Sequence, residues 1–166
     1  MRRIEDKILT RAAMQTECEQ LRRQGKKIVF TNGSFDLLHD GHVTSLQFAR
    51  EQGDLLIVGL NSDASVRRYK GPKRPILEQG HRARMLAALE MVDYVCIFDE
   101  DEPRDLITAV LPDVLVKSQD WAHYVAGRDI VEAHGGKVVL AKMIPVLSTS
   151  ELIRRVLAAY AEEKKS

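Results

Sequence analysis

Two histidines three residues apart, His39 and His42, close the run Val29-Phe30-Thr31-Asn32-Gly33-Ser34-Phe35-Asp36-Leu37-Leu38-His39-Asp40-Gly41-His42, which begins as a short apolar strand. A strand, a glycine turn and a helix start together suggest a phosphate site. Unpaired backbone N–H groups and a partial positive charge gather at a helix N-terminus, so imidazoles placed there face the same anion that the backbone attracts. The chemistry this suggests is phosphoryl or nucleotidyl transfer. Gly41, between the two histidines, lets the backbone come close to a ligand. Two other readings stay open on spacing alone: a pair of surface imidazoles, or half of a metal site. A metal needs further ligands, and only the scattered His81, His123, His134, Cys18 and Cys96 are on offer. The chain has neither a G-x-x-x-x-G-K-[ST] loop nor a G-x-G-x-x-G turn after its first strand, so a Walker-type NTPase and a dinucleotide dehydrogenase both recede.

A second cluster of hydroxyls, Ser148-Thr149-Ser150, stands before Glu151 and the apolar series Leu152, Ile153, Val156, Leu157. Ser148 with Glu151 forms a capping box, and the same helix start can bond phosphate oxygens. Between them in sequence lies the basic run Arg67-Arg68-Tyr69-Lys70-Gly71-Pro72-Lys73-Arg74-Pro75-Ile76, which reads as a mobile loop able to aim Lys70 at a phosphate. Arg82 can offer a planar fork to phosphate oxygens. Asp63, after Asn61-Ser62, reads as part of a capped first turn over Ser62 to Val66. Lys117-Ser118-Gln119-Asp120-Trp121 ends a strand with a cation, a carboxylate and the only tryptophan of the chain, an aromatic able to stack on a base or sugar or to close the sheet edge.

The elements that must position these groups follow from hydrophobic patterning. Strands are expected at Ile28–Thr31, Leu55–Leu60, Tyr94–Phe98, Val114–Lys117 and Lys137–Ala141, with helices near 41–52, 80–91, 102–111, 126–134 and 149–163. Ile4, Ile8, Leu9, Ala12, Ala13 and Leu21 recur at helical spacing and imply a leading helix over 1–25, stopped at Gly25. Apolar strands joined through helices indicate a parallel sheet covered on both faces, whose ligands bind beyond the carboxyl ends of the strands. With 166 residues, 45% hydrophobic and 30% charged, the chain suits a single domain with a real core. Its 25 basic and 24 acidic residues leave a formal net charge of +1, which implies neither a nucleic-acid track nor an acidic membrane surface. The two cysteines lack metal or disulfide spacing, and no signal or membrane-span pattern is read, so a cytoplasmic protein is expected.

In this order, His39-Asp40-Gly41-His42 and Ser148-Thr149-Ser150-Glu151-Leu152-Ile153 resemble the two signatures, H-x-G-H and S-T-[ST]-x-x-I, of the cytidylyltransferase-like nucleotidyltransferase family. The resemblance implies a three-layer Rossmann-like α/β nucleotidyltransferase fold with a five-stranded parallel sheet, its catalytic core at 27–153 and residues 154–166 forming the end of the last helix and a tail. Thr31–Asp36, Asn61–Ser65, Lys70–Ile76, Asp101-Glu102-Pro103 and Leu111–Lys117 are similar to the branch that adenylylates D-glycero-β-D-manno-heptose 1-phosphate. With no kinase segment ahead of it, a freestanding form is expected. That branch usually has Cys at Ser34, Asn-Pro at Leu77-Glu78, two glycines at Ser118-Gln119 and a glycine at Val146, so side chains here occupy places where backbone was bare. The resemblance implies that ATP, carrying Mg²⁺, gives its adenylyl group to the sugar phosphate with release of pyrophosphate. His39, His42 and Lys70 would be catalytic. Asn32, Gly33, Ser34, Phe35, Gly41, Lys117, Ser148, Thr149 and Ser150 would bind nucleotide, and Asp36, Asp63, Arg82, Asp120 and Trp121 would border the acceptor, with Asp36 either ordering the turn or accepting from the sugar. No protein-held metal, nucleic acid or membrane partner is implied, whereas a homo-oligomer is. A cytidylyltransferase acting on glycerol 3-phosphate, and a nonenzymatic nucleotide-binding module, are the competing expectations.

Overall fold

The structure, a computed structural model, describes residues 2–142 and 147–161, with Trp121 described in its backbone only. Five strands, β1 (Ile28–Gly33), β2 (Leu55–Asn61), β3 (Tyr94–Phe98), β4 (Val114–Ser118) and β5 (Lys137–Ala141), form one parallel sheet in the order β3-β2-β1-β4-β5. Successive residues of each strand face opposite sides, so both sides must be covered for a fully apolar strand to be stable. Ile28, Phe30, Ile57, Cys96 and Leu115 join one core with helices α1 (Arg11–Arg23), α5 (Arg104–Val110) and α6 (Arg128–Ala133). Val29, Leu56, Val58, Val95 and Val114 join the other, beneath α2 (Asp40–Arg50) and α4 (Gln79–Ala88). This is the expected three-layer α/β arrangement. The helix α3 (Asp63–Lys70) follows β2, and α7 (Thr149–Ala161) is the last described element.

The pairing of β1 opens a crevice. Its six residues all register with β2, from Ile28 opposite Leu55 to Gly33 opposite Leu60, but with β4 only Val29 and Phe30 are paired, opposite Val114 and Leu115. Beyond that point the Thr31 hydroxyl donates to the Val116 carbonyl at 3.0 Å. The strand order reverses here, since the chain leaves β1 toward β2 and later returns to its other side as β4. Ligands of open α/β sheets bind at such a switch point.

Two expectations require correction. Residues 1–25 are not one helix: a 3-10 turn, Glu5–Lys7, is followed by extended Ile8 and Leu9, and α1 starts only after Thr10, whose hydroxyl accepts from Ala13 N. The cause is the edge of β3. Leu9 N–H donates to the Val95 carbonyl at 2.9 Å and Ile8 bridges Val95, which covers part of a row of otherwise unpaired groups. Gly25, at φ +70, does end α1 as expected. The basic run is not one mobile loop either. Arg67 to Lys70 complete α3, where cations offset the negative end of the helix dipole, and Gly71 at φ +87 ends it.

Gly59 lies on β2 opposite Asn32 of β1: a Cβ there would meet Phe30 Cζ at 2.7 Å, and Asn32 Cβ and Leu106 Cδ2 at 3.2 Å. Gly59→Ala is expected to destabilise the fold by about 1–3 kcal/mol through overpacking, read as a lower urea midpoint.

Candidate functional site

The turn between β1 and α2 is shaped by one backbone constraint and two missing side chains. Phe35 takes φ +42, uncommon for a non-glycine residue, and its ring lies where a Cβ on Gly33 would stand, 3.1 Å from that position. His39 is extended and precedes α2, and its carbonyl accepts from His42 N and Val43 N. The two imidazoles then stack, with centroids 3.8 Å apart and planes at 23°, and Phe35 packs against His42 at 5.2 Å. A Cβ on Gly41 would stand 3.1 Å from the His39 ring and 3.3 Å from the Leu147 carbonyl, so the glycine brings the histidine pair against the segment that enters α7. The two signatures are thus neighbours in space.

Both His39 Nδ1 and His42 Nδ1 are buried with no hydrogen-bond partner among the described residues. Buried polar atoms in that condition are rare and mark a place for a ligand or solvent. Burial first, and then the nearby His39 and Lys70, push the His42 imidazole down to about 4, against the smaller opposing effects of the Leu37 backbone and Asp36. Burial also lowers His39, against Asp40. The pair is therefore neutral near pH 7 and becomes easier to protonate when an anion arrives.

Two lysines border the same turn. Lys117, at the end of β4, donates to Asn32 Oδ1 across the crevice at 2.7 Å, and burial lowers its amine to about 8. Lys70, at the end of α3, donates to Ser34 Oγ at 3.1 Å and is lowered by burial and then by Arg74. At the start of α7, Ser148 Oγ accepts from Glu151 N at 3.1 Å, while Glu151 pairs with Arg154 and Arg155. Half of the capping box is thereby formed. Thr149 is buried, and Ser148 and Ser150 are exposed.

Of the residues expected against the acceptor, Arg82 and Asp36 are enclosed in the protein, Asp36 in the turn-ordering role also expected of it, and Asp63 is partly exposed and paired with Arg82. The Arg82 side chain is wholly buried and donates to Leu77 O, Ser34 O, Asn61 O and Asp63 Oδ1, at 2.6 to 2.9 Å. A guanidinium so occupied has no fork to offer a phosphate. Asp36 is equally enclosed: it accepts from Arg74 Nε at 2.5 Å, Ile76 N at 2.7 Å and Leu77 N at 3.0 Å. It fastens the segment after α3 to the turn after β1 and leaves no face to a sugar. Asp120 is exposed in a 3-10 turn, Gln119–Trp121, just past Lys117. The side chain of Trp121, and Val146, lie outside the described residues. Patterning missed the roles of Thr31 and Arg74, whose partners lie 85 and 38 residues away. Among the described residues no helix is long and apolar enough to cross a membrane.

Residues 30–162 match the cytidylyltransferase-like family. The chain belongs to that family. It is a nucleotidyltransferase, and the histidine pair, the crevice and the start of α7 lie within the matched region. Among relatives, a bifunctional protein HldE of Trichlorobacter lovleyi is 50% identical over 161 residues, 96% of this chain and 33% of that protein. A bifunctional protein HldE of Geobacter sulfurreducens is 55% identical over 141 residues, 84% of this chain and 29% of that protein. The chain thus spans about a third of the length of the curated relatives it matches. Among solved structures, the lipopolysaccharide core biosynthesis protein of Thermoplasma volcanium has a TM-score of 0.62 at 24% identity, covering 74% of this chain and all of that one. Pantoate-beta-alanine ligase of Francisella tularensis has a TM-score of 0.57 at 14% identity, covering 81% of this chain and 66% of that one. Both share the fold.

Arg82→Ala strands a carboxylate and three carbonyls in the interior and is expected to cost about 3–5 kcal/mol in chemical denaturation. Lys117 has the opposite sign. Its amine is less basic in the fold than in the unfolded chain, so the unfolded state holds the proton more tightly, a penalty complete below about pH 8 that fades toward the ordinary lysine value of 10.5. Lys117→Met should therefore stabilise the protein by about 1–2 kcal/mol at pH 7, after the loss of the Asn32 bond, and the gain should vanish near pH 10. Urea midpoints at the two pH values check it.

Proposed function

We propose that this chain transfers the adenylyl group of ATP to D-glycero-β-D-manno-heptose 1-phosphate, giving ADP-heptose and pyrophosphate for lipopolysaccharide or another surface glycan. The observation that carries the transfer chemistry is the stacked His39–His42 pair with unsatisfied buried Nδ1 atoms, set between Lys70 and Lys117 at the sheet's switch point. The choice of acceptor and nucleotide is supported by the residue runs shared with the heptose branch and by relatives named bifunctional protein HldE. The name of the Thermoplasma volcanium protein points the same way.

An oxygen of the sugar phosphate attacks the α-phosphorus in line. A P–O bond forms there as the bond to the β-phosphate oxygen breaks, and pyrophosphate leaves with the bonding electrons. No protein nucleophile is needed, and the enzyme's work is alignment of two anions and stabilisation of charge on the equatorial and leaving oxygens. His39 and His42 donate to triphosphate oxygens as negative charge shifts onto them. Lys70 bridges nucleotide and acceptor phosphate, Lys117 and Asn32 border the nucleotide, and the α7 start with Ser148, Thr149 and Ser150 receives the β and γ phosphates. Mg²⁺ enters as part of the Mg–ATP substrate, held by phosphate oxygens and water. On α7 the side chains of Val156, Leu157 and Tyr160 are exposed, which supports the expected homo-oligomer.

His42→Ala should leave a folded protein whose turnover falls at least about 10²-fold, the loss typical of one preorganised transition-state donor. Pyrophosphate release is the readout, measured with ATP or CTP against heptose 1-phosphate or glycerol 3-phosphate. Wild-type release from the variant would sink the assignment of His42. A preference for CTP with glycerol 3-phosphate would replace the proposed substrates with the cytidylyl pair.

A further inference from the structure

Tyr69 has no part in the transfer just described, yet it stands beside the groups that carry it. It occupies the last turn of α3, directly before Lys70, and is 52% exposed. Single exposed aromatics are ordinary on protein surfaces and by themselves mean little. Tyr69 differs in what stands beside it. The Ser34 hydroxyl accepts from Lys70 Nζ at 3.1 Å, and that ammonium lies 5.7 Å from the centre of the Tyr69 ring. Below them, Asp36 and Arg74 fasten the segment that follows α3. Ring and ammonium therefore stand side by side at the mouth of the site, with half of the tyrosine open to solvent.

We propose that Tyr69 is a specificity-determining residue, whose exposed face carries the pyranose ring of the acceptor while Lys70 holds that acceptor's phosphate. This rests on the sugar-phosphate reading above. In a sugar 1-phosphate the phosphate is attached directly to the ring, so whatever holds the phosphate brings the ring within one linkage of it. An aromatic side chain next in sequence to the phosphate-holding lysine is in the right place. A pyranose presents a patch of C–H groups that an aromatic face accepts, its polarised hydrogens against the negative face of the π-system. Glycerol 3-phosphate, a short open chain, has no such face. Tyr69 thus favours cyclic acceptors over acyclic ones at a position that leaves the transfer chemistry untouched.

The test compares wild type, Tyr69→Phe, Tyr69→Leu and Tyr69→Ala, with folding checked by far-UV circular dichroism. Kinetics are measured against D-glycero-β-D-manno-heptose 1-phosphate, glycerol 3-phosphate and ATP. Leu and Ala variants are expected to raise KM for the sugar 1-phosphate about three- to tenfold, the scale of one ring contact, with KM for ATP unchanged. The Phe variant keeps the face and should stay close to wild type. Wild-type turnover of the sugar with an unchanged KM in the Leu and Ala variants would overturn the role of Tyr69 alone. A rise in KM for ATP instead would make the ring a base-stacking residue and overturn it equally. A wild type that uses glycerol 3-phosphate and no sugar 1-phosphate would overturn both this role and the substrate reading beneath it.

Discussion

A guanidinium taken out of water must find acceptors for its N–H groups, and Arg82 finds four of them in three segments of the chain. Ser34 follows β1, Asn61 ends β2, Asp63 opens α3 and Leu77 precedes α4. Each lies beyond or near the carboxyl end of the sheet, where chain direction alone leaves loops free to wander. Bonding to one rigid planar group sets them relative to one another. Asp36 does the same from the other side with a carboxylate, gathering Arg74 and two backbone N–H groups. Between these two buried charges the turn carrying the histidines and the helix carrying Lys70 acquire a common frame. The side chains nearest the chemistry are held by others that never touch it.

The electrostatics of the frame run against the protein's own stability. Imidazoles and amines are drawn together and dried, and burial lowers the basicity of His39, His42, Lys70 and Lys117 alike. Four donors of lowered basicity stand together around one turn. In the proposed function a triphosphate supplies negative charge, and its attraction to these donors is strengthened because desolvation and orientation are imposed when the chain folds. Stability given up in the free protein reappears as affinity for anions, the usual trade at a binding centre.

Much of this was legible from residue order. The five strands and the later helices lie within a few residues of where apolar patterning put them, because buried strands have few other solutions. His39, Gly41, His42 and the serine-threonine run stood out because a phosphate site needs unusual residues close together in sequence. Asp36 was legible as a residue that orders the turn after β1, but Arg82 was visible only as a charge, and the partners of both come from segments brought together only by the sheet. The break between Ile8 and Thr10 had the same origin. Ile8 and Leu9 fit a helical period, and only the exposed edge of β3 gives their backbone a better partner. Similarly, the continuation of α3 through Arg68 and Tyr69 was hidden by a dense basic run that patterning reads as a loop.

The contact of Gly41 with the Leu147 carbonyl joins the beginning of the site to its end. It also orders events during synthesis. The central strand β1 is made first, but one of its neighbours in the sheet is β4, and the helix that closes over the histidine pair is made later still. A nascent chain that has completed only β1 to β3 holds both imidazoles and has no second wall for a nucleotide. The histidine pair is thus on the chain before the residues that stand against it, and the site is completed from segments made at different times.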